Sequence, residues 1–216
     1  MRPVKTQVHG GLNEHVRNLV KVMENHRYHF DRPSVFERLV DDVLCVAGAR
    51  HEKDLVGKER QALVEISNLY GLAVSSLPPF SDILGPLYEA LGHGKNMGIG
   101  QFFTPAHVAD LAIALNFQGE EFDKPVTVME PCVGAGAMLL AACRRALDEG
   151  GERGLNNLHL TGVDLSFPCL KVTTAQFIAN NVFGFSPGSL TLMQGNALQP
   201  ENARPFFSQS IAPVQR

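Results

Sequence analysis

The stretch VTVMEPCVGAGAMLL, residues 126–140, decides how this chain is read. Five residues rich in β-branched and apolar side chains end at Glu130. A proline-led turn with two glycines follows, and then small and apolar residues with the spacing of a helix. Gly134 and Gly136 remove side chains where a backbone would have to approach a ligand closely. The helix behind them offers N–H groups without intrahelical partners and the positive end of its dipole. A dinucleotide fingerprint would place a third glycine where Leu139 stands, so a pyrophosphate cofactor is disfavoured. Taken alone, a G-x-G pair also fits a plain tight turn.

Downstream the grammar repeats. LHLTGVDL (158–165) reads as a second strand, PCLKVTTAQFIANNVFG (168–184) as a second helix and LTLMQG (190–195) as a third strand. The first helix is expected over 137–150, ending at glycine. Strand, helix, strand, helix, strand implies right-handed crossovers and a parallel sheet. The fold class expected is therefore α/β: part of a doubly wound, Rossmann-like sheet preceded by a helical N-terminal region. Ligands of such sheets sit outside the carboxyl ends of the strands, where an acid can hold both ribose hydroxyls. Asp164 ends the second strand and Asn196 follows the third. Asp164 also fits a solvated turn, and Asn196 a turn after glycine.

Upstream, GIGQFFTPAHVADL (98–111) sets two aromatics before a helix. Thr104 is expected to cap that helix, with Pro105 at its first position and Val108, Leu111, Ala112 and Leu115 on its buried side. The preceding residues, 1–97, read as helical. Their apolar sets are Leu12, Val16, Leu19, Val20 and Met23; then Val35, Phe36, Leu39, Val43 and Leu44 behind a Ser34 cap; then Leu55, Val56, Leu63, Ile66 and Leu69, ending at Gly71. SSLPPFSD marks a loop, and DILGPLYEALGHG a short helix broken at Gly85-Pro86.

A hydrophobic share of 44% in 216 residues allows a sizeable core. There is no apolar run long enough for a membrane span and no secretion signal, so a cytoplasmic protein without membrane contact is expected. Cys45, Cys132, Cys143 and Cys169 form no C-x-x-C pair, which predicts reduced thiols and no metal site. A net charge of −3 with no basic stripe counts against unaided DNA binding, without excluding a DNA substrate. The scattered histidines are expected at the surface or at interfaces. Arg144 and Arg145 are placed on an exposed helix face, within reach of a phosphate at best.

Glu130, Asp164 and Asn196 at three successive strand ends, with an aromatic Thr-Pro loop upstream, resemble the cofactor half of S-adenosylmethionine-dependent DNA methyltransferases that modify exocyclic amines. The pattern DILGPLYEAL, GIGQFFTP, VMEPCVGAGAMLL, TGVDLS, GNAL is similar to the modification subunit of type I restriction-modification systems, over roughly residues 82–198. The resemblance implies S-adenosyl-L-methionine as cofactor. Phe103, Thr104 and Pro105 would form the loop that closes over it, with Phe102 packed inward. Gly134 and Gly136 would border its methionine part, Asp164 would hold its ribose and Asn196 would face its adenine, with Glu130, Pro131 and Leu165 also among the cofactor-binding residues. The family commonly carries Asp where this chain has Asn196; an amide can donate as well as accept. Implied partners are DNA, a separate specificity subunit, and a further copy or subunit.

One family feature is missing. Adenine's exocyclic nitrogen is a poor nucleophile, and the base must be flipped out of the duplex. The family meets this with Asn or Asp followed by Pro-Pro and an aromatic, after a fourth strand. The sole Pro-Pro here is LPPF (77–80), upstream and led by Leu77, which cannot accept a hydrogen bond; NARPFF (202–207) has the wrong spacing. Catalytic residues are therefore left unassigned. Three parallel strands would leave the first with an unpaired edge, and the tail after residue 201 shows no obvious strand. Residues 98–216 are accordingly expected to be a methyltransferase core truncated after its third strand. A second reading is a non-catalytic binding module of the same fold, and a third a methyltransferase for a substrate other than nucleic acid.

Overall fold

The structure is a computed structural model that describes residues 13–30, 34–46, 48, 55–92, 103–117 and 122–210. The expectations for Leu12 and Phe102 fall outside these residues.

Four helices come first: α1 (Glu14–His26), α2 (Val35–Cys45), α3 (Gly57–Ser76) and α4 (Leu84–Ala90). Val16, Leu19, Val20 and Met23 of α1 are buried, as are Val35, Phe36, Leu39 and Val40 of α2. Ser34 caps α2 in a full capping box with Glu37. Three expectations are corrected here. α3 runs through Gly71 to Ser76, because a single helical glycine costs only about 1 kcal/mol and the burial of Tyr70 and Ala73 outweighs it. α4 passes unbroken through Gly85-Pro86, since a first-turn proline gives up no intrahelical hydrogen bond. Val56, expected in the core, is exposed just ahead of α3.

The second part runs α5 (Ala106–Asn116), β1 (Val126–Glu130), α6 (Ala137–Asn156), β2 (Leu158–Asp164), α7 (Phe167–Val182), β3 (Ser189–Gln194) and β4 (Arg204–Ser210). The sheet order is β1-β2-β3-β4, with β1, β2 and β3 parallel. Two crossovers that step in the same direction put α6 and α7 on one face. There Leu158, Leu160, Leu190 and Leu192 meet Leu139, Leu140, Cys143 and Phe177 in one core.

Three corrections concern this part. The tail does form a strand: β4 pairs antiparallel with β3, slipping register between Leu192 and Met193. It lies across the sheet from β1, so β1 remains an edge among the described residues. α5 starts at Ala106 with Pro105 in the cap position, and no side chain caps it. It buries Ala109 and Ile113, while Val108, Leu111 and Leu115 are 43%, 60% and 61% exposed. α6 extends to Asn156 across a break at Gly151, whose φ of 60° and ψ of −155° only glycine adopts readily.

The helical part and the sheet part are in contact. Its core takes in Ala135 of the glycine turn and Val172, Ala175 and Ala179 of α7. The LPPF loop forms the seam. Phe80 is fully buried, at the unusual φ of 60°, packed between Phe177 and Phe185. Its N–H donates to Asn180 Oδ1 at 2.7 Å and its carbonyl accepts from Arg144. Arg144 is thus no exposed cation: it ties the loop to Asp110 of α5. Arg145 pairs with Glu149 one turn along.

Candidate functional site

The site is assembled around Gly134. β1 ends at Glu130, whose carboxylate accepts the Cys132 N–H at 3.0 Å and folds the chain back over the strand end. Val133 N–H then donates to the Val163 carbonyl at 2.9 Å, seating the turn on β2. Gly134 has φ +54° and Gly136, which caps α6, has φ +95°. Both conformations favour glycine.

Three neighbours hold Gly134. Its N–H donates to Asp164 Oδ2 at 2.8 Å, and its carbonyl accepts from Thr173 Oγ1 at 2.7 Å. The Phe103 ring lies over it, so near that a Cβ added to Gly134 would meet ring carbons at 3.3 and 3.4 Å. A Cβ on Gly136 would come within 3.0 Å of the Thr173 methyl. The second oxygen of Asp164 accepts the Ser166 N–H at 2.8 Å. Each carboxylate oxygen therefore carries one backbone bond and keeps further acceptor capacity.

Other strand ends reach the same edge. Gly195 N–H donates to the Asp164 carbonyl at 2.9 Å, which brings Asn196 next to the end of β2. Asn196 is exposed and its Oδ1 accepts the Leu198 N–H at 3.0 Å. Leu165 is 71% exposed. Phe103, Glu130, Gly134, Gly136 and Asp164 thus form one connected group; Asn196 and Leu165 stand at the adjoining strand ends. Thr104, Pro105 and Pro131 are exposed on its margin. Among the described residues no cluster of three metal-ligating side chains occurs, and no helix is long and apolar enough to cross a membrane.

Besides Thr173, sequence reasoning missed four participants. Tyr88 packs on Phe103 with ring centroids 5.1 Å apart, and Glu89 Oε1 accepts the Phe103 N–H at 2.8 Å. Both lie in DILGPLYEAL, where only the resemblance pointed. Gln176, fully buried in α7, donates to the Ala135 carbonyl of the turn. Phe206 of β4 meets Phe167 edge-on at 5.2 Å just beyond Asp164, a pairing hidden until β4 is known to be a strand.

Comparison with known proteins agrees with this architecture. Residues 80–183 match the profile of the family described as N-6 DNA Methylase. A protein assigned as a class I S-adenosylmethionine-dependent methyltransferase from Listeria monocytogenes superposes with a TM-score of 0.51 at 16% identity, over 87% of this chain and 55% of that one. The type I restriction-modification methyltransferase subunit from Streptococcus thermophilus gives a TM-score of 0.39 at 19% identity, over 77% of this chain and 36% of that one. The chain therefore spans little more than half of the first structure and about a third of the second. No curated protein matches it. The first superposition is a likeness of fold, and the N-6 DNA methylase resemblance read from the motifs is found over the segment that carries Phe103, Gly134 and Asp164.

Proposed function

We propose that a chain carrying the N-6 DNA methylase pattern over residues 80–183 binds S-adenosyl-L-methionine at the carboxyl ends of β1 and β2, as the cofactor-binding part of a DNA adenine N6-methyltransferase. One observation supports this most: Phe103, Gly134 and Asp164, far apart in sequence, meet at one point. The residues suit such a ligand. Gly134, lacking a Cβ, leaves free the space beneath Phe103 that a side chain would fill. Asp164, oriented by two N–H donors, has lone pairs left for the ribose hydroxyls. Phe103 supplies an apolar wall, with Thr104 and Pro105 as its flanks. The turn from Glu130 and Pro131 to Gly136 borders the amino-acid portion, where the first N–H groups of α6 lack intrahelical partners. Leu165 and Asn196 line the adenine end.

S-adenosylmethionine carries its methyl group on a sulfonium, which makes that methyl electrophilic. The residues named here bind and orient. They do not contact the accepting amine, and the chain contains no Asn/Asp-Pro-Pro-aromatic motif to do so. The LPPF loop is no substitute, because Phe80 is buried with both its backbone groups bonded. Transfer to a flipped adenine would then need DNA together with a specificity subunit or other protein supplying the acceptor side, in a cytoplasmic setting without membrane contact. The division at residues 97 and 98 is proposed on the same footing, with the first part facing DNA or a partner.

The missing motif favours a second reading, a non-catalytic module that binds the cofactor or only a protein partner. Calorimetric titration of S-adenosylmethionine into the wild type, Asp164→Asn and Phe103→Ala tests the site. Saturable binding in the wild type, weakened about tenfold or more in both variants, is expected. A wild type that takes up no ligand sinks the proposal. Methyl transfer from labelled cofactor to duplex DNA, with and without a specificity subunit, then separates the enzyme from the binding module.

A further inference from the structure

Two residues of α4 contact Phe103 where it lies over Gly134. At its N-terminal end α4 is clamped to the glycine turn through Gln176. Gln176 Oε1 accepts from Ile83 N–H at 2.9 Å and Leu84 N–H at 3.2 Å. Its Nε2 donates to Asp82 Oδ1 and to the Ala135 carbonyl, both at 2.9 Å. Asp82 Oδ1 also accepts the Gly85 N–H at 3.0 Å. A Cβ on Gly85 would lie 2.6 Å from Asp82 Oδ2, so the carboxylate would have to move. At its other end α4 presents Tyr88, buried and tilted 46° against the Phe103 ring, and Glu89, whose carboxylate takes the Phe103 N–H. One short, rigid helix thus bridges the Ala135 side of the turn and the ring that covers Gly134. Its length sets the separation of floor and roof.

We infer that Glu89 and Tyr88 are positioning residues: α4 is a strut that fixes Phe103 over Gly134 and so sets the closure of the pocket. The placement of Phe103 stands on geometry alone; its effect on ligand affinity rests on the cofactor reading above.

The test uses the full chain with Glu89→Ala, Glu89→Gln and Tyr88→Leu. Hydrogen exchange in the ligand-free protein is the first readout. In Glu89→Ala the Phe103 amide should exchange roughly tenfold faster, as expected for a lost bond to a charged acceptor, while the Leu160 amide in β2 stays unchanged. Glu89→Gln should stay close to wild type, since its amide oxygen accepts the same bond. Tyr88→Leu should loosen Phe103 while leaving the Glu89 bond available. S-adenosylmethionine affinity is the second readout, expected to fall about fivefold to thirtyfold in Glu89→Ala and to recover in Glu89→Gln. Equal Phe103 exchange in wild type and Glu89→Ala overturns the inference. So does Glu89→Gln behaving like Glu89→Ala, or a parallel rise at Leu160, which would mark a merely structural role. Faster Phe103 exchange in Glu89→Ala with no S-adenosylmethionine binding in any form would defeat the cofactor reading and leave the strut standing.

Discussion

The amide of Gly134 donates to the carboxylate of Asp164 across 2.8 Å, joining the turn after β1 to the end of β2. Residues 30 positions apart are thereby fixed at one strand edge. Asp164→Ala leaves both the Gly134 and Ser166 N–H groups without this acceptor. Urea unfolding should show a loss of about 1–3 kcal/mol. A stability equal to wild type would mean that water replaces the carboxylate at no cost.

The two glycines should differ in tolerance. An L-residue at either position pays roughly 1–2 kcal/mol for its left-handed backbone. At Gly134 the new methyl meets the half-buried Phe103 ring, which can swing away. At Gly136 it meets Thr173, which is fully buried and bonded to the Gly134 carbonyl. Gly136→Ala should therefore destabilise more than Gly134→Ala in denaturant titrations. Gly134→Ala should show the larger displacement of Phe103 by NMR.

Phe80→Ala should cost about 3–5 kcal/mol, the range for emptying a buried aromatic site. The loss should appear as a lowered denaturation midpoint of the whole chain, because Phe80 sits where the helical part meets α7. A drop below about 1 kcal/mol would mean the seam closes over the cavity.

Asp82 introduces a pH dependence. Burial raises its carboxyl above the ordinary value of 3.8, against the lowering effect of hydrogen bonds from Gln176 and Gly85 and of the nearby Arg144 charge. Its native state holds a proton that the unfolded chain has already released. The stability linked to this group is full below pH 3.8 and is lost as pH rises through the raised value. Asp82→Asn removes that loss. Its thermal midpoint relative to wild type should climb with pH over this window and then level off. The opposite trend would show that the hydrogen bonds outweigh burial.

Leu111 and Leu115 should tolerate charge. Leu111→Glu is expected to alter stability by less than about 0.5 kcal/mol, as at ordinary surface positions, while reducing concentration-dependent light scattering.

The three parallel strands and the turns at their ends were legible because their signals are local. Each strand is short, apolar and followed by a turn residue of distinct chemistry: Glu130, Asp164, Gly195. What the sequence hid depends on partners. On α5 an apolar stripe at Val108, Leu111 and Leu115 looks like a core face, yet only Ala109 and Ile113 find α6 to pack against. β4 contains Pro205, which argues against a central strand but is tolerated on an outer one, where β4 lies. Arg144 looks solvated until Phe80's carbonyl, 64 residues away, is seen to need a donor. Glu89 and Gln176 act across 14 and 41 residues, and no periodicity reports such pairings.

The place of β1 in the sheet has one more consequence. The strand that leads directly into the Gly134 turn is also the outermost on its side among the described residues. A peptide laid along that margin would bond to alternate residues of the five immediately ahead of Pro131. Were such pairing to change the hold of the turn on a ligand, reciprocity would demand that a ligand in the turn change the grip on the margin by the same factor.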